Sequence, residues 1–241
     1  MNLKGYKFNT KEDFVYYIQH LIYGISKTMD IFEKHLNELE TYIKDRDLAE
    51  RPKRVISPDI HDRYNSMLGN SSNQLLNYFG DQAELGCSYQ NYRKNIKKKS
   101  KELNLSYIEF TQEQEEELNN VTTSRNWSNH IPVSLIHSTK RKAFGEEIDV
   151  TKPISISVFE KYEGAWLIDL HLQEKNSLDA FKALFELLKK DYKELTGFPC
   201  LIQRNTYSLR PIEDLVIPEI SFGIQSKKIK TVDDIKAYYE V

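Results

Sequence analysis

The sequence predicts an α+β fold: a helical N-terminal bundle, about residues 1–148, packed against a small α+β part, about residues 149–241. Three observations predict it. Val15, Ile18, Ile22, Ile25, Met29, Phe32, Leu36, Leu39 and Ile43 recur at spacings of three and four, the period of a helix with one apolar face. From Ile154 the period drops to two, that of a half-buried strand. A second helical stripe, Leu178, Phe181, Phe185, Leu188, Tyr192 and Leu195, follows the alternation. The expected order after residue 149 is ββαββα, a small sheet with helices on one face.

The first helix spans about residues 10–45. Asn9 with Glu12 makes a capping-box pattern, and Thr10 is an alternative cap. Phe14, Leu21 and Tyr42 widen the apolar stripe beyond what a two-stranded coiled coil uses, so the helix belongs in a bundle. Tyr16, Tyr17 and Tyr23 on the other faces predict a first half enclosed nearly all round. Gly24 costs about 1 kcal/mol in mid-helix against alanine, and its missing side chain admits a close neighbour. Ser57-Pro58 starts a second helix with Ile60, Tyr64, Met67 and Leu68 inward, and Gly69-Asn70-Ser71-Ser72 is expected to interrupt it before Leu75, Leu76 and Phe79. Tyr89–Leu103 forms a third helix. Thr111 with Gln114 caps a fourth, whose acidic first turn complements the helix dipole.

In the C-terminal part, Ile154, Ile156 and Val158 alternate with Pro153, Ser155 and Ser157. Trp166, Ile168, Leu170 and Leu172 alternate with Leu167, Asp169, His171 and Gln173. A loop of Tyr162, Glu163 and Gly164 sets Val158 opposite Ile168, with Gly164 in the left-handed position. A continuous helix is the alternative, because Val158, Tyr162 and Trp166 are also four apart. Ser177 caps the next helix, which ends at Gly197 before Pro199. Cys200 and Ile202 mark a third strand, Ile220, Phe222 and Ile224 a fourth, and Thr231 with Asp234 a short last helix.

Charged residues are 29%, hydrophobic 39% and aromatic 12% of the chain, a globular composition. The net charge of −2 sets up no global field for nucleic acid or anionic membrane, so such binding needs a local patch. Cys87 and Cys200 stand too far apart in sequence for a disulfide framework or a metal knuckle, which points to reduced thiols and a cytoplasmic setting. The opening MNLKGYKFNT has no apolar run, and no stretch is long and apolar enough to span a bilayer, so neither secretion nor a membrane partner is expected. Abundant Lys, Ile, Asn and Tyr, with AT-rich codons, point to a low-GC bacterium or one of its phages or mobile elements.

Five constellations carry chemical interest. Arg93, Lys94, Lys97, Lys98, Lys99 and Lys101 crowd one helix, with Tyr89, Tyr92 and Tyr107 nearby and Lys140-Arg141-Lys142 further on. Cations neutralise phosphates and aromatic rings stack on bases, so this is a candidate nucleic-acid face. A solvated helix face balanced by Glu113, Glu115, Glu116 and Glu117 has the same composition. At the junction between the two parts, Arg125, Trp127, Asn129 and His130 combine an aromatic anchor with directional polar groups, the composition of a partner-binding site. Asp169, His171, Ser155 and Ser157 share a face of the expected sheet and are the residue types of acid–base or nucleophilic chemistry. His130 and His137 have no Cys or carboxylate at ligand spacing, so no metal is expected. Pro211-Ile212-Glu213-Asp214 followed by Gln225-Ser226-Lys227 loosely resembles a metal-dependent nuclease pattern.

No P-loop, dinucleotide-binding glycine fingerprint or nucleophile-elbow serine is present, and no cofactor is expected. The leading expectation is a cytosolic, non-enzymatic protein whose partner is another protein. A nucleic-acid-binding protein using residues 93–101 is one alternative. A hydrolase or nuclease with its site on the C-terminal sheet is the other. The first helix completes its bundle within one chain or across the axis of a homodimer.

Overall fold

The structure, a computed structural model, describes residues 6–83, 86–129, 151 and 161–202. Thr10 opens the first helix, α1 (Lys11–Asp45), through a reciprocal capping box: its hydroxyl accepts from the Asp13 amide, and the Asp13 carboxylate accepts from Thr10 N at 2.9 Å and Asn9 N at 2.8 Å. The cap is therefore Thr10 with Asp13 rather than Asn9 with Glu12. The nine-residue stripe is the inner face of α1, buried everywhere except at half-buried Val15. Phe14, Tyr17 and Leu21 widen it. Tyr16 and Tyr23 point outward, 66% and 67% exposed, so the first half of α1 keeps an exposed strip and is not enclosed nearly all round.

Helix α2 (Pro58–Gly80) runs antiparallel to α1, with Tyr64 beside Glu38 and Tyr78 beside Gly24. A Cβ on Gly24 would stand 2.6 Å from the Tyr78 ring, so the glycine admits that neighbour. Gly69-Asn70-Ser71-Ser72 does not break α2. Tyr64, Leu68, Ser71, Leu75 and Phe79 are all buried, and the Ser71 hydroxyl donates back to Met67 O at 3.2 Å. One continuous inner face outweighs a local preference of about 1 kcal/mol at glycine.

Helix α3 (Tyr89–Leu103) has the expected bounds, and α4 (Gln112–Asn129) begins at the expected Thr111 cap. Ser88 caps α3 through the Asn91 amide, and Thr111 and Gln114 exchange both bonds of a capping box. α4 comes so close to α2 that a Cβ on Gly80 would meet the Thr122 backbone at 2.9 Å.

The expected C-terminal sheet is not what the described residues form. Residues 164–196 are one helix, α5 (Gly164–Thr196), which takes in both the expected second strand and the following helix. Its inner positions, Leu167, His171, Glu174, Leu178, Phe181, Phe185, Leu188 and Leu195, keep helical spacing throughout. The polar His171 and Glu174 fill two stripe positions and hide the pattern. The alternation of Trp166, Ile168, Leu170 and Leu172 is incidental: Trp166 and Leu172 are more than half exposed. Ser177 is mid-helix, its hydroxyl donating to Gln173 O, and is no cap. Gly197 ends α5 in the left-handed conformation at φ 81°, as its position before Pro199 implies.

Gly164 has no positive φ, and Tyr162-Glu163 is no hairpin loop. Those two residues form β2, paired antiparallel with β1 (Val55–Ile56), in register Val55 to Glu163 and Ile56 to Tyr162. The Gly164 and Ala165 amides then donate to Arg54 O and Pro52 O, so the connection after α1 anchors the start of α5. Cys200 and Ile202 are irregular rather than a strand. The first strand at 154–158, the fourth at 220–224 and the last helix at 231–234 lie outside the described residues.

Residues Phe8–Pro199 form one compact unit, while Tyr6, Lys7, Cys200, Leu201 and Ile202 belong to a second. Within the first, α5 runs antiparallel to α1, tied by Lys182 to Glu33 at 2.6 Å and Gln19 to Tyr192 at 3.4 Å. The core is a chain of ring contacts: Phe8 to Tyr17 at 4.8 Å, Tyr17 to Tyr92 at 6.4 Å, Tyr92 to Tyr89 at 6.1 Å, Tyr89 to Phe79 at 6.3 Å and Phe79 to Phe181 at 5.9 Å. These rings join α1, α3, α2 and α5.

Candidate functional site

The basic run of α3 spreads around the helix, because residues one apart differ by about 100° in direction. Arg93 points inward and is 3% exposed. Its Nη1 donates to both oxygens of Asp191 at 2.9 and 3.0 Å and to Ile108 O at 2.8 Å. Its guanidinium lies 3.7 Å from the centre of the Phe110 ring. Asp191, fully buried on α5, also accepts from the Tyr89 hydroxyl at 2.6 Å and the Ile108 amide at 3.0 Å. Burial pushes the Asp191 carboxyl up from its ordinary value, against the pull of Arg93 and of the hydrogen bonds from Tyr89 and Ile108. Burial likewise raises Tyr89 and Tyr92 well above the usual phenol. This network clamps α3, α5 and the segment after α3 together; it offers no open face.

Of the remaining cations, Lys97 pairs with Glu115, and Lys99 donates to the Phe8 carbonyl. Lys94, Lys98 and Lys101 share the solvated face. Of the three tyrosines expected to stack on bases, Tyr89 and Tyr92 are fully buried, and Tyr107, half-buried, has its ring under the Arg93 guanidinium at 5.4 Å. Lys140-Arg141-Lys142 lies outside the described residues.

The junction residues separate. Arg125 turns back onto α2, with Nε donating to Asn77 Oδ1 at 3.0 Å and Nη2 lying 3.1 Å from Asp81. Trp127, two residues on and about 200° around α4, faces out and is 51% exposed. Asn129 ends α4, and His130 lies outside the described residues.

Asp169 and His171 do not share a face. On α5, Asp169 and His171 point about 200° apart. Asp169 is exposed, while His171 lies half-buried toward Glu40, its pKa lowered by burial with Glu40 opposing. Two residues share a face on a strand, where the period is two, and not on a helix. Ser155, Ser157 and the segment 211–227 lie outside the described residues.

Other features are accounted for locally. An open groove of about 970 Å³ between α1 and α2 is rich in acids. Lys182 binds Glu33 there, and Lys34 stands 3.9 Å from Glu38. The Cys87 thiol faces the Tyr17 hydroxyl and is shifted up by burial, which disfavours the reactive thiolate. Among the described residues, no three His, Cys, Asp or Glu side chains are grouped to hold a metal, and no helix is long and apolar enough to cross a membrane.

The outward stripe of α1 carries Tyr16, His20, Tyr23, Lys27 and Ile31, opposite the buried Ile18, Ile25 and Phe32. Its two tyrosines are seven residues apart, about 10 Å along one face. The sequence displays these tyrosines plainly but does not say which side of α1 stays bare. Asp191 and Arg93 did leave a signal: an acid three residues after Leu188 and a base four after Tyr89 both fall on inner stripes. Comparison with protein-family models, curated proteins and solved structures finds no match for this chain.

Proposed function

We propose that this chain is a non-catalytic protein-binding module and that its contact face is the outward stripe of α1. The observation that carries the reading is the exposure of Tyr16 and Tyr23, 66% and 67%, on one face of the helix that organises the core. Tyrosine supplies large, rigid contact area with a hydrogen-bonding tip and loses little conformational freedom on binding. His20 and Lys27, between and after the rings, add polar contacts at the same spacing. A rigid helix presents these groups without an ordering cost. The fitting partner is a folded protein offering a helix face of matching polarity. Trp127 is a second, separate anchor. Cys87 and Cys200, both thiols, suit the reducing cytosol.

The test is quantitative capture from cell extract by the tagged chain, its Tyr16→Ala/Tyr23→Ala variant and its Trp127→Ala variant. Truncating an interface tyrosine costs about 1–2 kcal/mol, so the double variant binds its partner roughly 100-fold more weakly. Both rings are on the surface, so unfolding temperature should stay near that of the parent. A double variant that holds the same proteins as tightly as the parent refutes the reading.

A further inference from the structure

The outward stripe has a charge pattern that complements itself when inverted, and this selects an occupant; the inference rests on the reading of α1 as the contact face. Tyr16 and Asp30 stand seven residues either side of Tyr23, and Glu12 and Lys34 stand eleven either side. On an α-helix both offsets return to within about 20° of the direction of Tyr23. All five therefore lie on the outward face, spread over about 33 Å, with Asp30 and Lys34 also bordering the groove shared with α2. Glu12 and Lys34 are exposed, and the Lys34 ammonium has only a long 3.9 Å approach to Glu38.

We propose that this face binds a second copy of the chain, as an antiparallel two-fold α1 pair centred on Tyr23. The two-fold operation exchanges the arms of the stripe. Each Glu12 then meets Lys34 of the other copy, and the two Tyr23 rings meet at the axis. Lys27 comes opposite the neutral Gln19. A parallel pairing sets Glu12 on Glu12 and Lys34 on Lys34, so like charges oppose it. Contact confined to one helix face is small for a protein interface, so association is reversible and depends on concentration.

The experiment is sedimentation equilibrium of the full chain over a concentration series. The parent is expected to dimerise. Glu12→Lys alone and Lys34→Glu alone each place like charges across both symmetric contacts and weaken the dimer about tenfold or more. The double variant Glu12→Lys/Lys34→Glu restores the complement and is expected to recover dimerisation, which no general loss of folding allows. Independently, Tyr23→Cys in a Cys87→Ser/Cys200→Ser background should cross-link to itself when diamide is added, because only a residue at the axis meets its own copy.

A parent that stays monomeric overturns the inference. If Tyr16→Ala/Tyr23→Ala then still loses a different captured protein, the contact-face reading survives alone. A dimer indifferent to both charge reversals and to Tyr16→Ala/Tyr23→Ala overturns the inference and counts against the reading as well.

Discussion

Replacing Asp191 with alanine tests the central clamp of the fold. The carboxylate is fully buried and receives four contacts: the Tyr89 hydroxyl at 2.6 Å, Arg93 Nη1 at 2.9 and 3.0 Å, and the Ile108 amide at 3.0 Å. Its removal strands a guanidinium that is 3% exposed, and leaves a hydroxyl and an amide without their acceptor. Removing one partner of a buried ion pair costs about 3–5 kcal/mol, mostly from the uncompensated charge. At about 2–4 °C per kcal/mol for a unit of this size, Tm should fall by roughly 6–20 °C. The assay is thermal or urea unfolding of Asp191→Ala, Arg93→Met and the pair Arg93→Met/Asp191→Leu. Removing both charges leaves no buried ion, so the pair should lose less than the sum of the single changes, and less than Asp191→Ala alone. It should not regain parental stability, because the Ile108 amide and carbonyl still lack their partners. A cost below about 1 kcal/mol for Asp191→Ala, or simple additivity, would refute the reasoning.

Two further outcomes follow from close packing and from burial. Gly80→Ala should destabilise by about 1–3 kcal/mol, because its Cβ meets the Thr122 backbone at 2.9 Å, which cannot swing aside. Gly24→Ala should cost less, since its obstacle is the far end of the Tyr78 ring and alanine regains about 1 kcal/mol of helix propensity; urea midpoints in the reverse order would contradict this account. Burial raises the Glu174 carboxyl above its ordinary value, against a hydrogen bond from Ser72, and its Oε2 is buried without a hydrogen-bond partner. A raised carboxyl contributes stability below its unfolded pKa and loses that contribution as pH rises through the folded value. Glu174→Gln should therefore be the more stable protein at neutral pH, with the gap closing in acid; a parent that is more stable at neutral pH would reverse the assignment.

The helices were legible wherever the pattern was local and repeated. The α1 stripe, the Tyr89–Leu103 helix, the Thr111 cap and the Gly197 stop each follow from spacing or cap chemistry over a few residues. Failures came where a polar side chain took an inner position. His171 and Glu174 masked the helix at residues 164–176, and Ser71 made a continuous α2 look broken. Among the candidate sites, Arg93 left the basic face for the core, and Arg125 was taken up by Asn77 and Asp81. The Asp169–His171 pair depended on a period of two that the helix does not have.

Residue spacing and capping by themselves determined that α1 is a long rod with one wide apolar face, that a helix occupies Tyr89–Leu103, that another starts at Thr111, and that a helix stops at Gly197. Those are short-range effects, written in steric preference and hydrogen-bond chemistry within one or two turns. Which face of α1 stays bare, which cations pair, and whether residues 166–172 become strand or helix were decided only by tertiary contact. Burying Asp191 against Arg93, and α5 along α1, brings together residues about a hundred or more positions apart in sequence, and no local pattern records the free energy of that meeting.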